Sequence, residues 1–248
     1  MLRKRVIPIV LLDGFSVLKT IKFSVRRNLG SPITVMRTYN TRNVDELVLL
    51  DIDASKQGRS VDKFIIKELA EDCFMPLTVG GGVRCKDDVR QLLESGADKV
   101  SINKAALDNP SLISEFADVF GSQCIVISID VVYSEGEYKI FSGGEHYIEM
   151  TPLEWAVKAE SLGAGELLVN NVSRDGVMEG ADLDLVDSIS SVVSIPVIFA
   201  GGVASPENSA EVVRAGASAV GVSSIFHFTD FTPNDCRDAI RKAGFPAR

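Results

Sequence analysis

The sequence predicts an α/β protein, a (β/α)8 (TIM) barrel assembled from two half-barrel repeats. Its 248 residues match the usual length of such a barrel. Motifs recur about 120 residues apart, so that Pro76–Val83 aligns with Pro196–Val203, and Gly96–Asp98 with Gly216–Ser218. That period is too long for a solenoid repeat, whose units span about 20 to 50 residues. Each half alternates short apolar segments with amphipathic ones, a pattern typical of parallel strands and covering helices.

Eight short apolar segments are the predicted barrel strands, since continuous apolar runs suit parallel strands that are covered on both faces. In chain order they are Val6–Leu12, Leu47–Leu50, Leu77–Val79, Lys99–Ile102, Ile125–Ile129, Leu167–Val169, Val197–Phe199 and Ala219–Val222. Amphipathic segments such as Asp87–Leu93 and Glu207–Val213 are the predicted helices, and a Gly-Ala pair that can end a helix follows each. We expect one domain over residues 1–248, with half-barrels of about 1–120 and 121–248.

One irregular stretch interrupts this ladder after the fifth predicted strand. Tyr138–Phe141 and His146–Glu149 flank the turn-forming residues Ser142–Gly144. Two short apolar or aromatic runs around a glycine turn are typical of a β-hairpin. The sequence therefore predicts a hairpin inserted in this loop.

Composition excludes several classes of function. A net charge of −8 argues against nucleic acid as a partner. No apolar run approaches the ~18 residues of a membrane helix, and no signal-peptide cleavage pattern is present, so we expect a cytoplasmic protein without a membrane partner. Four cysteines without CxxC spacing and only two histidines predict neither a metal site nor a cofactor.

Glycines and small polar residues follow several of the predicted strands, where the active sites of such barrels lie. Gly80–Gly82 and the pair Gly201 and Gly202 would let backbone N–H groups approach an anion closely. Additional donors come from residues after the fourth and eighth strands, Asn103, Ser223 and Ser224. Two such clusters, one in each half, predict a small-molecule ligand with a phosphate at each end. The alternative is that these glycines only make tight turns.

Asp130 is the predicted catalytic residue, because it directly follows the apolar segment Ile125–Ile129 and could act as a general acid or base. The alternative is that its carboxylate caps the following loop. The internal repeat aligns Asp130 with Leu11 at the end of the first strand. Leucine cannot transfer protons, so only one of the two carboxylates that the repeat predicts is present.

The chain resembles the cyclase subunit of imidazole glycerol phosphate synthase almost from end to end. The motifs that carry the resemblance are Lys4–Pro8, Asp45–Asp51, Thr78–Gly82, Gly96–Asn103, Asn109–Leu112, Phe120–Gln123, Gly163–Glu166, Arg174–Gly176 and Phe226–Phe228. The resemblance implies an ammonia-using barrel with a glutaminase partner docked at its N-terminal face. In that family, ammonia adds to a bis-phosphorylated ribulosyl aminoimidazole-carboxamide ribonucleotide, which is cleaved and closed to an imidazole. Two aspartates, after the first and fifth strands, act as acid and base.

The resemblance also implies roles for individual residues. Asp130 matches the aspartate after the fifth strand. Phosphate contacts match Gly82 and Asn103 at one end, and Gly176, Gly201, Gly202, Ser223 and Ser224 at the other. Asp51 and Asp175 match polar residues near the substrate, and Lys19 matches the lysine of a mobile loop. A charged ring through which ammonia enters matches Arg5, Glu46, Lys99 and Glu166. The alternative for this ring is a salt-bridge network that only closes the barrel floor.

Some positions depart from the family pattern. Leu11 replaces the first aspartate, and the segment from Ile9 to Gly14 is one residue short. Asp13 is a candidate to take the missing place, although it lies past the strand end and could only make the turn. Lys104 and Val177 replace threonines, and Lys104 could still bind an anion as a point charge.

These features leave several hypotheses for function. The first is a divergent paralogue of the cyclase, which helps deliver ammonia to a sugar amidotransferase, so that an acetamido sugar of a surface polysaccharide such as lipopolysaccharide becomes an amidine. The second is an authentic cyclase with a substitute for the first aspartate. The third is a non-catalytic scaffold that activates the glutaminase. The related sugar isomerase of histidine synthesis shares the fold and both phosphate sites, but the segments Asp98–Asn103 and Arg174–Gly176 favour the cyclase.

Overall fold

Eight parallel strands close into a barrel in the computed structural model, which describes residues 3–142, 144–147 and 150–248. Around the barrel the strands are β1 (Arg5–Leu12), β4 (Leu47–Asp51), β5 (Leu77–Gly80), β6 (Lys99–Ile102), β7 (Ile125–Ser134), β10 (Glu166–Asn171), β11 (Val197–Ala200) and β12 (Ala219–Val222). Parallel pairing of β12 with β1 and of β7 with β10 completes the closure. The predicted (β/α)8 barrel is confirmed, with all eight strands at their predicted places.

Two antiparallel hairpins are added at the carboxyl ends of the barrel strands. The first, β2 (Val17–Ile21) with β3 (Val25–Gly30), was not predicted, and its first strand pairs with the end of β1. The second consists of β8 (Glu137–Ser142) and β9 (Glu145–Tyr147), and it continues from a long β7. This is the predicted inserted hairpin, although residues 148 and 149 of its predicted second strand lie outside the described residues.

Ten α-helices alternate with the strands. They are α1 (Pro32–Thr41), α2 (Lys63–Glu71), α3 (Lys86–Glu94), α4 (Lys104–Asp108), α5 (Ser111–Phe120), α6 (Pro152–Ser161), α7 (Leu183–Ser190), α8 (Pro206–Arg214), α9 (Ser224–Phe228) and α10 (Pro233–Lys242), as counted in the described residues. The two helices predicted from amphipathic segments are α3 and α8. Gly96 and Gly216 follow them with positive φ angles, which glycine adopts without strain.

Two hydrophobic clusters hold the strands in place. The larger lies between the barrel and its helices and contains the fully buried Trp155, Tyr39, Phe116 and Phe199. The smaller fills the barrel interior, with Ile7, Ile9, Leu11, Leu18, Val48, Val126, Leu168, Ile198, Ala200 and Ala219. Side chains alternate along each strand, so the outward-facing residues pack on helices and the inward-facing ones line the axis. The carboxyl ends of the eight strands therefore lie together and form one rim of the barrel.

In the part of the chain that the structure describes, no helix is long and apolar enough to cross a membrane.

Candidate active site at the carboxyl ends of the barrel strands

A cavity of about 590 Å³ opens at the carboxyl ends of the barrel strands. Twelve of the thirteen catalytic and ligand-binding residues predicted from the sequence line it, and Asp13 is the exception. The twelve are Lys19, Asp51, Gly82, Asn103, Lys104, Asp130, Asp175, Gly176, Gly201, Gly202, Ser223 and Ser224. The volume suits a small-molecule ligand, which commonly occupies about 300–1,000 Å³.

Asp130 lies in the wall of this cavity, midway along the long strand β7. Its Oδ2 accepts a hydrogen bond of 2.7 Å from Nδ2 of Asn103. Burial raises the pKa of Asp130 to about 7, and the negative charge of Asp175 adds to the rise, while hydrogen bonds from Asn103 and Asn170 oppose it. A carboxyl group with this pKa exists in both protonation states near neutral pH, so Asp130 is suited to acid–base chemistry.

Leu11 lines the same cavity from strand β1 and belongs to the hydrophobic cluster inside the barrel. Its register partners, Leu18 of β2 and Leu50 of β4, are also leucines, and the next residues on those strands, Lys19 and Asp51, line the cavity. Asp13 is exposed in the turn after β1, where its Oδ1 accepts a hydrogen bond of 3.1 Å from the backbone N–H of Ser16. The structure therefore does not bring Asp13 to the cavity, and no carboxylate lines it from β1.

Glycines make the rim close-packed at both ends of the cavity. A Cβ atom on Gly82 would collide with the carbonyl oxygen of Arg59, and one on Gly202 would lie 2.5 Å from that of Gly180. Both glycines have positive φ angles. Backbone must therefore approach backbone at these positions, which is also the geometry in which amide groups can reach a bound phosphate.

Lys104 and Asp51 have side-chain partners that the sequence did not reveal. The Nζ of Lys104 lies 2.9 Å from both carboxylate oxygens of Asp108, one turn along α4. Asp51 is buried and pairs with Arg59 at 2.6 Å, while its Oδ1 accepts the backbone N–H groups of residues 53 and 54. Asp51 therefore organises the loop beside Gly82. Ser223 and Ser224 lie together at the start of α9 on the other side.

Lys19 lies on strand β2 of the first hairpin and is buried against the loop after β10. Its Nζ is 2.5 Å from Oδ1 of Asp175, and the hydroxyl of Thr20 donates a 2.6 Å hydrogen bond to Oδ2 of the same carboxylate. The backbone N–H of Lys22 donates to the carbonyl of Asp175 at 2.9 Å. These contacts hold the hairpin across one side of the cavity. Sequence reasoning missed Thr20 and the strand, because no glycine or asparagine marks the turn at Lys22 and Phe23.

Arg5, Glu46, Lys99 and Glu166 form a closed ring of alternating charge at the opposite, amino-terminal ends of the strands. Arg5 contacts Glu46 at 2.7 Å and Glu166 at 2.5 Å, and Lys99 contacts the same two carboxylates at 2.8 and 2.7 Å. Burial alone lowers the pKa of Arg5 and raises that of Glu46, but their opposite charges outweigh burial, so the pKa of Arg5 is raised and that of Glu46 lowered. Arg5 and Glu46 therefore both carry their charges at neutral pH.

Within the described residues, no group of three or more His, Cys, Asp or Glu side chains is arranged to hold a metal ion.

Comparison with known proteins agrees with the geometry of the site. Residues 5–232 match the model of a family described as histidine biosynthesis protein. The chain is 43% identical over 248 residues to a Campylobacter jejuni protein provisionally named imidazole glycerol phosphate synthase subunit hisF2, covering 100% of this chain and 99% of that protein. It is 41% identical over 252 residues to the imidazole glycerol phosphate synthase subunit HisF of Corynebacterium glutamicum, covering 98% of both. The Exiguobacterium sibiricum subunit HisF is also 41% identical, over the whole of both chains. The chain therefore belongs to the histidine biosynthesis protein family, as a relative of the cyclase subunit of imidazole glycerol phosphate synthase.

Proposed function

We propose that this chain is the ammonia-accepting barrel of a glutaminase-dependent synthase and has diverged from imidazole ring closure. In this proposal it passes ammonia to a sugar amidotransferase, which forms an amidine on a surface-polysaccharide sugar. One combination of features carries the proposal. The four-charge ring at the amino-terminal mouth is complete, whereas Leu11 occupies the cavity wall where the family has a catalytic aspartate.

The complete ring supports the ammonia-accepting part of the proposal. Two buried carboxylates and two partly buried cations in the barrel floor carry a desolvation cost that packed hydrophobic residues would avoid. The cost is explained if the ring acts as a gate for a small polar molecule. The glutaminase partner would then dock around this ring. Thr78 donates a 3.1 Å hydrogen bond to Oε1 of Glu46, so polar groups continue from the ring into the barrel.

Leu11 supports the divergent part of the proposal. Loss of one general acid or base typically costs about 10² to 10⁴ in rate. The register partners of Leu11, Leu18 and Leu50, are also apolar, so neither can take the place of the missing carboxylate. Asp130, whose pKa is about 7, then remains to exchange a proton with ammonia before the amidotransferase uses it.

Authentic cyclase activity is a second candidate, because the cavity keeps glycine clusters at two ends and Asp130 has a pKa of about 7. One carboxyl group with that pKa could act as acid in one step and base in another. The identity of 41–43% to synthase subunits also favours this reaction over that of the sugar isomerase.

The proposal is tested by reconstituting the chain with the glutaminase and the sugar amidotransferase of the same organism. Glutamine labelled in its amide nitrogen should transfer that label to the sugar amidine only when all three proteins are present. Asp130→Asn should reduce the transfer while glutamine hydrolysis continues. Transfer that is unchanged in Asp130→Asn would instead favour the non-catalytic scaffold, and incorporation of label into an imidazole would favour the cyclase.

A further inference from the structure

Asn103 lies between the glycine turn Gly80–Gly82 and Asp130, at the carboxyl end of β6. Strand β6 is flanked by β5 and β7, and Gly80 of β5 pairs in register with Ser101 of β6. Gly82 and Asn103, each two residues further along the chain, therefore leave neighbouring strands side by side. On the other side, Nδ2 of Asn103 donates the 2.7 Å hydrogen bond to Oδ2 of Asp130. Asn103 is thus placed to contact both a ligand at the glycine turn and this carboxyl group.

The side-chain amide of Asn103 is only half bonded in this structure. Its Oδ1 atom is buried and has no hydrogen-bond partner among the described residues, while its Nδ2 is bound to Asp130. Buried polar atoms in proteins nearly always have a partner, and one that is left without a partner is costly. Because Oδ1 has no hydrogen bond to lose, the amide can turn away by giving up its contact with Asp130 alone.

An anion at the glycine turn would compete for the same amide. The amine of Lys104, the residue after Asn103, is already bound to both carboxylate oxygens of Asp108. The Nδ2 group of Asn103 can only donate hydrogen bonds, and the oxygens of a phosphate or sulfate group are strong acceptors. The anion and the ionised form of Asp130 therefore attract the same donor group.

The ionised form of Asp130 depends on that donor. Burial raises the pKa of Asp130, and the negative charge of Asp175, which is itself paired with Lys19, acts in the same direction. The hydrogen bonds that lower this pKa come from Asn103 and from Asn170, the register partner of Asp130 on β10. The two strands beside β7 thus present uncharged amides to Asp130. When the amide of Asn103 turns away, the balance moves toward the protonated carboxyl group.

We propose that Asn103 couples the binding of an anion at the glycine turn to the protonation of Asp130, so that Asp130 takes up a proton from solvent when the anion binds. This inference rests on the ligand-binding cavity of the proposed function and adds to it a control over Asp130. At neutral pH the loaded cavity then holds a larger share of the protonated acid than the empty cavity does. Asn103 is a positioning residue in this account, because it acts through Asp130.

The coupling is tested on the purified chain with sulfate as the anion, because sulfate stays fully ionised near neutral pH, whereas phosphate groups titrate there. Carbon-13 NMR follows the carboxyl group of Asp130 as the pH is varied, and the absence of this resonance in Asp130→Asn assigns it. We expect sulfate to raise the titration midpoint by about one pH unit, which is a tenfold gain in proton affinity. The side-chain NH₂ resonance of Asn103 should follow this titration without sulfate and become independent of it with sulfate.

Two alanine variants separate the coupling from the direct effect of the sulfate charge. Asn103→Ala and Asn170→Ala should both raise the midpoint in the absence of sulfate, since each removes an amide that acts on Asp130. Only Asn103 adjoins the glycine turn. Sulfate should therefore raise the midpoint of Asn170→Ala further, by as much as in the wild type, and that of Asn103→Ala by less than about half as much.

Equal sulfate-induced rises in the wild type and in Asn103→Ala would show a direct charge effect and overturn the coupling. An Asn103 NH₂ resonance that still follows Asp130 in the presence of sulfate would overturn it without any variant, and so would a wild-type midpoint that sulfate leaves unchanged. Failure of the three-protein reaction, with these titrations as expected, would count against the proposed ammonia transfer and not against this coupling.

Discussion

Leu11 and Asp130 line one cavity from opposite walls of the barrel, since three strands separate β1 from β7 in either direction. Asp130 contacts the amides of Asn103 and Asn170, whereas Leu11 pairs with leucines. Asp130 therefore has polar partners, whereas the strand partners of Leu11 are hydrophobic. Any proton transfer that needs two groups across the ligand cannot use this pair.

Asp130→Asn should stabilise the folded protein at neutral and alkaline pH. The pKa of Asp130 is about 7 in the folded protein against a usual 3.8, so the folded state keeps a proton that the unfolded chain has lost between these values. Wild-type stability consequently falls as pH rises from about 4 to about 7, and asparagine avoids this loss. Thermal unfolding above about pH 7 should show a gain of up to ~4 kcal/mol, which disappears below about pH 4. A gain that is independent of pH would contradict the assignment.

Glu46→Gln should destabilise the protein strongly, because it leaves Arg5 and Lys99 to share Glu166. Removing one partner of a buried ion pair typically costs about 3–5 kcal/mol. Since the folded pKa of Glu46 is lowered, its contribution is present above the ordinary value of 4.5 and is lost as pH falls through the folded pKa, so the deficit should shrink in acid. Urea unfolding at two pH values measures both effects.

Asp87→Asn provides the control for the ring variant. Asp87 and Arg90 form a pair with the same 2.7 Å separation as Arg5 and Glu46, but their side chains are 74% and 50% exposed. Exposed pairs contribute about 0–1 kcal/mol. Equal losses in the two variants would show that the ring is not buried in solution as it is in this structure.

Asp175→Asn should release the β2–β3 hairpin from the barrel. The carboxylate binds both Lys19 and Thr20, and a hydrogen bond to a charged group contributes about 1.5–3 kcal/mol. Amide hydrogen exchange of Val17–Gly30 should accelerate tenfold or more, with the barrel strands unchanged. Asp53→Asn removes an exposed contact of the same hairpin with Arg26 and should have a smaller effect. Faster hydrogen exchange of the hairpin in Asp53→Asn than in Asp175→Asn would show that Asp175 is not the main contact that holds the hairpin to the barrel.

Gly82→Ala should disturb the cavity rim far more than Gly58→Ala. The two glycines have nearly equal φ angles, +65° and +66°, so the backbone strain of about 1–2 kcal/mol is shared. A Cβ on Gly58 meets open space, whereas one on Gly82 collides with the carbonyl of Arg59, the residue that pairs with Asp51. We expect an additional loss of about 1–3 kcal/mol and weaker binding of inorganic phosphate in Gly82→Ala. Similar unfolding curves for the two variants would show that the contact with the Arg59 carbonyl is not the reason why residue 82 is a glycine.

The barrel strands could be predicted because each is a short apolar run and because these runs recur about 120 residues apart, and both patterns are visible in the sequence. The β2–β3 hairpin could not, since Lys22 and Phe23 make its turn at φ angles of 50° and 56°, which residues other than glycine adopt uncommonly. The inserted β8–β9 hairpin could be predicted, because Gly144 and its neighbours in the sequence mark the turn.

Strand-end positions predicted which residues line the cavity, but not how their side chains pair. Asp13 is drawn into its own turn by the N–H of Ser16, and Lys104 is paired with Asp108. Asn103, expected at a phosphate, donates its amide to Asp130. Such pairings depend on three-dimensional neighbours and rotamers, for which the sequence has no local signal.

We propose that the chain keeps its ammonia route but lacks the second acid–base group. Ammonium-driven turnover of the family's ribulosyl substrate by the wild type, Leu11→Asp and the uncharged control Leu11→Asn tests it most directly. We expect no turnover by the wild type or Leu11→Asn, and measurable turnover by Leu11→Asp. Brisk turnover by the wild type, with no gain in Leu11→Asp, would contradict the claim and identify the chain as an active cyclase.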